Sequence, residues 1–171
     1  MNGKCHKLVG AVTGMSGILA ISGVQGAEPA ITVLGLSALA GGLGGLVPDI
    51  DKRGSKISNK ARVVSTITEL TCGHRGIIHT PFMLVILSII MFVLIKKAQI
   101  TNIYILASAI SFILGYFSHL ALDLLTPAGI MLLYPFSKKR THIIGLKTKL
   151  KEPIICVVSL VFLVLIYTCI Y

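Results

Sequence analysis

The chain has 171 residues, 54% of them hydrophobic and 13% charged, no tryptophan, and a mean hydropathy of +0.89. A soluble domain carries about 25% charged and about 45–50% apolar residues, so these proportions exclude an ordinary water-soluble fold and indicate one membrane-embedded domain, 1–171, whose polar parts are loops. The formal net charge of +10 would suggest nucleic acid in a soluble protein. No aromatic-and-basic RNA-binding pattern accompanies it, so no nucleic acid is expected, and basic residues that orient the chain against anionic headgroups account for the charge.

Five apolar segments follow in chain order: Leu8 to Gly26, Ala30 to Val47, Ile77 to Ile95, Ile100 to Leu125, and Pro153 to Tyr171. Each is near the ~20 residues that cross ~30 Å of hydrocarbon. Helix is the expected state, because a spanning segment must satisfy its backbone polar groups internally. The fold class is therefore all-α, a polytopic membrane helical bundle of about five spans with two basic loops. The first segment, with Lys4 and Lys7 before it, also has the outline of a signal peptide, but Ala27–Glu28–Pro29 makes a poor cleavage site and suits a turn between helices. The first two segments are rich in glycine (Gly10, Gly14, Gly17; Gly41, Gly42, Gly44, Gly45), which suits either close helix packing or irregular, re-entrant ends.

The loops between the spans carry 2, 0, 6, 2 and 6 basic residues from the N-terminus onward, which puts 14 of the 16 on one side. The positive-inside rule makes that side cytoplasmic, with the N-terminus in and the C-terminus out. The four cysteines, Cys5, Cys72, Cys156 and Cys169, form no Cys-x-x-Cys pair and imply no disulfide framework. Cys156 and Cys169 lie in apolar sequence as small hydrophobes. Cys72 lies two residues from His74, where a thiolate ligand is conceivable.

Every His and three of the six acids fall at the same cytoplasmic side, although the orientation was set by Lys and Arg alone. His6 precedes the first span, Asp49 and Asp51 follow the second, His74 and His79 open the third, and His119 and Asp123 approach the end of the fourth. His142 lies in the last basic loop after Lys138, Lys139 and Arg140, a solvated setting. Asp49 after Pro48 also suits a turn or helix cap, and His74 and Arg75 also suit headgroup contacts. His119 and Asp123 are harder to explain blandly: spaced i, i+4, they share a helix face within a run otherwise free of charge. A structural His–Asp pair is the alternative.

Imidazole and carboxylate donors together suit Zn²⁺ and, less exclusively, Mn²⁺ or Fe²⁺. Seven candidates (His6, Asp49, Asp51, His74, His79, His119 and Asp123) exceed one tetrahedral shell, which points to a multinuclear site or to partners that orient the imidazoles. In such a site one of Asp49 and Asp51 would bridge metals while the other assists, and Arg75 would neutralise a phosphate oxygen.

The order His6, Pro48–Asp49–Ile50–Asp51, His74–Arg75–x3–His79, His119–x3–Asp123, Gly129–Ile130 and Tyr134–Pro135–Phe136–Ser137 resembles a family of small bacterial inner-membrane proteins described as membrane-bound, metal-dependent hydrolases, some of them LexA-regulated. The likeness covers nearly the whole chain. That family is remotely similar to zinc-dependent phospholipase C and P1-type nucleases, helical proteins that bind a zinc cluster through His and Asp. The resemblance implies that His6, Asp49, His74, His79, His119 and Asp123 are metal ligands and that Asp51 is a ligand or general base. In those soluble enzymes the processed N-terminal amine is also a ligand, whereas here Met1 precedes a membrane helix. The expected function is a metal-dependent hydrolase acting on a phosphoester-containing lipid or headgroup at the inner leaflet, with membrane lipids as its surroundings. The alternatives are a metal or proton transporter, disfavoured because no acid or His lies in the outer half of any span, and a structural membrane protein with a degenerate site.

Overall fold

The computed structural model describes residues 2–51, 77–143 and 152–171. Its regular structure is five α-helices: α1 Gly3–Val24, α2 Ile31–Gly44, α3 Pro81–Lys97, α4 Ile103–Leu124 and α5 Glu152–Ile170. Two 3-10 turns, Val47–Asp51 and Ile77–His79, flank the stretch between α2 and α3. Among the described residues there is no β-strand; a single antiparallel bridge pairs Ile130 with Thr141. Among the described residues, four helical stretches (α1, Ile31–Asp49, α4 and α5) are long and apolar enough to cross a membrane.

Two boundaries differ from the sequence expectation, and both bear on the site. α1 begins at Gly3, because the Asn2 side chain accepts a hydrogen bond from the Lys4 amide and caps the helix. His6 therefore lies inside the first helix and not ahead of it. The third apolar segment does not start as an α-helix at Ile77. Thr80 caps the helix by accepting from the Met83 amide at 3.2 Å, and Pro81 takes the first helical position. α3 is left with 17 residues, about 26 Å at 1.5 Å per residue, at the lower limit for a span.

The centre of the molecule is the trio α1, α2 and α4, each packed on the other two. Their sequences meet through glycine. A Cβ on Gly115 of α4 would run into the Gly41 carbonyl of α2, one on Gly10 of α1 into the same carbonyl, and one on Gly45 into the His6 carbonyl. Between lipid-immersed helices there is no hydrophobic driving force, since lipid tails are as apolar as leucine, and close approach of backbones supplies the packing instead. The glycine-rich stretches are thus helix interfaces, not re-entrant ends. α3 packs on α4 and α5 on α1, and neither has a buried residue.

The chain after α4 folds back across one end of the bundle. Ile130 and Thr141 exchange backbone hydrogen bonds of 3.0 and 2.9 Å, and the Ile143 amide reaches the Leu124 carbonyl at 3.0 Å. Gly129 makes the return possible: its φ of +60° is left-handed, and a Cβ there would strike the Thr141 carbonyl. Ile130 tucks in beside Tyr116 and Leu120, while Leu133 and Phe136 point outward, Phe136 at 95% exposure.

Candidate metal centre

Helix alternation sets the location of the site. The N-terminal ends of α1 and α3 and the C-terminal ends of α2 and α4 share one end of the bundle, so His6, Asp49, His79, His119 and Asp123 arrive there from four different elements. Asp123 is the hub. His6 Nε2 lies 3.6 Å from its Oδ1, while His79 Nε2 and His119 Nε2 lie 3.7 and 3.6 Å from its Oδ2. All four side chains are buried, each at most 3% exposed. The i, i+4 spacing brings His119 and Asp123 onto one face, and the neighbouring helices close the set.

These separations exceed hydrogen-bonding distance. Donor atoms about 2.1 Å from a tetrahedral ion stand about 3.4 Å apart, so the spacing is near that of ligands around a shared ion. Two overlapping triads, His6–Asp49–His119 and His79–His119–Asp123, each bring one donor atom per residue within 4.8 Å of the others and could hold a metal. Among the described residues, His6 Nδ1 and His119 Nε2 are buried and make no hydrogen bond. Buried polar atoms are costly to leave in that state, so the donor set fits a divalent cation on an observation of its own.

Several neighbours aim these side chains. His119 Nδ1 lies 2.7 Å from the Gly45 carbonyl. A carbonyl only accepts, so Nδ1 carries the proton and Nε2 is the nitrogen that faces Asp123, the orientation that metal-ligating imidazoles use. His79 sits at the end of the 3-10 turn Ile77–His79. That turn is held from both sides: the Tyr116 hydroxyl donates to the Ile78 carbonyl, and the Thr80 hydroxyl donates to the Ile77 carbonyl at 2.6 Å. The Thr126 hydroxyl donates to the Asp123 carbonyl at 2.8 Å and closes the end of α4. His6 and His119 stack with ring centroids 3.9 Å apart.

Tyr116, Thr80 and the Gly45 carbonyl were not singled out from the sequence. Thr80–Pro81 did carry a signal, since a capping Thr followed by Pro marks a helix start and hence a turn holding His79. Tyr116 and Gly45 offered none, because their partners lie 38 and 74 positions away. Asp49 is half-buried beside the cluster. His142 is exposed in the returning loop and belongs to neither triad. The backbone of Asp51 belongs to the turn Val47–Asp51; its predicted role as ligand or base, and those of His74, Arg75 and Cys72, fall on side chains outside the described residues.

Comparison with known sequences agrees with the membrane setting. The model of the YdjM inner membrane protein family matches residues 1–171. The chain belongs to the YdjM family. It is 34% identical over 137 residues to the uncharacterized protein YvsG of Bacillus subtilis, covering 79% of this chain and 74% of that one. It is also 34% identical over 91 residues to the inner membrane protein YdjM of Escherichia coli, and likewise to that of Shigella flexneri, covering 53% of this chain. The matched stretch spans 44% of each of those two relatives. No solved structure matches. As a YdjM-family member with several apolar helices, the chain is a multi-pass inner-membrane protein.

Proposed function

We propose that this protein is a membrane-bound, metal-dependent hydrolase acting on a phosphoester-containing lipid or headgroup, with its centre at the cytoplasmic end of the bundle. The observation that carries the reading is Asp123 ringed by three buried imidazoles at 3.6–3.7 Å. An ionisable cluster of that kind within an apolar bundle is costly unless it serves a ligand. His6, His79, His119 and Asp123 would hold the ion, with Asp49 beside them. Zinc suits the imidazole–carboxylate donor set. The two Asp123 oxygens face separate imidazoles, so the carboxylate would be a donor to the bound metal. When bound, such ions supply Lewis-acid charge and lower the pKa of a coordinated water toward ~7.

The chain's own residues do the rest. The Gly45 carbonyl keeps His119 in the ligating tautomer, and Tyr116 and Thr80 keep His79 in place. Asp51 is assigned as proton acceptor and Arg75 as phosphate contact, with His74 as a further ligand, on the motif resemblance. The basic loops concentrate anionic headgroups at this end. The transport reading is less well supported: among the described residues every buried histidine and acidic side chain lies in the cluster, and the buried polar groups further along the bundle (Ser16, Ser37 and Ser111) are hydroxyls.

Metal content decides the matter first. Protein purified without chelator should carry two or more equivalents of zinc per chain by elemental analysis, and should release a phosphorylated headgroup from phospholipid vesicles. Absence of metal after zinc loading would remove the reading. The orientation is tested separately: reporter fusions should place residues 52–62 and 138–151 in the cytoplasm and Tyr171 outside, and an external basic loop would move the site to the opposite face.

A further inference from the structure

A pair of thiols lies where α5 meets α1. The Asn2 amide donates to Glu152 Oε1 at 2.8 Å, and one turn further on Cys5 Sγ lies 3.1 Å from Cys156 Sγ. Both are free thiols. Cys5 is buried and Cys156 is half-buried, in an apolar setting with Val9, Leu122 and Ile155. Each thiol comes from a different helix, and the gap is about 1 Å longer than the ~2.04 Å of an S–S bond. α5 packs principally on α1, so this junction is the main non-covalent hold on the last helix. Packing of two small hydrophobes would not require the sulfurs to face each other.

We propose that Cys5 and Cys156 are a redox-sensitive dithiol, oxidised by hydroperoxides to a disulfide that staples α5 to α1. The sulfur of Cys156, the more accessible thiol, attacks one peroxide oxygen. The O–O bond breaks, leaving a sulfenic acid on Cys156 and releasing water or an alcohol. The Cys5 sulfur then attacks that sulfenic sulfur; the S–S bond forms, the S–O bond breaks, and hydroxide leaves with the thiol proton as water. Two thiols lose two electrons in total, and one O–O bond accepts them. The site is independent of the metal reading, because no step involves the His–Asp cluster.

The test uses the full-length chain carrying Cys72→Ser and Cys169→Ser, so that only this pair remains. Hydrogen peroxide probes delivery from water, and cumene hydroperoxide probes delivery from the apolar phase. After free thiols are blocked, trypsin cleavage at Lys4, Lys7 and Lys151 separates Cys5–Lys7 from Glu152–Tyr171. The expected product is these two peptides joined, lighter than their sum by two hydrogens and separated by dithiothreitol. Linkage with either oxidant supports the proposal, and the more effective one identifies the side of entry. The native-sequence chain should give the same linked peptides, and Cys156→Ser in it should abolish them. Both thiols still blockable after oxidation, or oxidised to sulfinic acid without a link, would overturn the proposal.

Discussion

The trio α1, α2 and α4 and the pair α3 and α5 are all apolar in sequence, α5 the most so, yet they are held in different ways. In the trio, glycines bring backbones into contact, and the buried positions include Ser37, Ser111 and Tyr116 as well as aliphatic residues. The flanking helices have no fully buried residue: Val157, Val161 and Phe162 of α5, like Val85, Ile89 and Phe92 of α3, remain more than half exposed, surfaces suited to lipid. In a membrane, apolarity places a helix in the bilayer and says little about which helices touch; shape and polar contacts decide that. The site follows the same division. The trio supplies His6, His119 and Asp123, whereas α3 contributes through the turn ahead of it, which Tyr116 of the trio pins in place.

The largest effect expected from this contrast is at Gly115. Gly115→Val places atoms against the Gly41 backbone, which no rotamer change relieves, so most of the protein should be lost from the monodisperse peak in size-exclusion chromatography; overpacking costs about 1–3 kcal/mol even where side chains can adjust. Gly17→Ala meets only the end of the Leu114 side chain, and its yield should stay close to that of the parent. Equal behaviour of the two variants would refute backbone contact as the basis of the trio.

Next in size are the residues of the His–Asp cluster. Asp123→Asn and His119→Ala should still insert and elute as folded protein, while zinc affinity by calorimetry falls more than about 100-fold, beyond the 10–100-fold typical of outer-shell partners. A structural pair would behave in the opposite way, with yield dropping while surviving protein keeps its metal. Parental affinity in well-folded Asp123→Asn would take that residue out of the site.

Smaller again is Tyr116→Phe, which removes the donor to Ile78 without opening a cavity. Zinc affinity should fall by about 10-fold, as for an outer-shell partner; no change would mean that the turn carrying His79 holds its shape unaided. The smallest effects belong to the exposed positions. Phe162→Ala should leave the melting temperature in detergent within about a degree, in line with exposed substitutions of less than ~0.5 kcal/mol. His142→Ala should leave metal content unchanged, and loss of a full equivalent would make it a ligand.

The sequence alone determined the membrane class, the helical state and the end of the bundle where His6, His79, His119 and Asp123 gather. Those properties follow from local terms: the cost of unsatisfied backbone in lipid, the length of apolar runs, and the rarity of ionisable residues within them. The i, i+4 spacing of His119 and Asp123 was legible for the same reason, since helix geometry alone sets it. Only the tertiary structure decided that Asp123 is the hub, that the Gly45 carbonyl selects the tautomer of His119, that Tyr116 holds the turn before α3, and that Cys5 faces Cys156. Each of these joins residues far apart in the chain whose types, read singly, are ordinary. They meet because glycines on three helices let the backbones close to contact, and which glycines face one another depends on helix rotation and crossing, which periodicity within one helix does not encode.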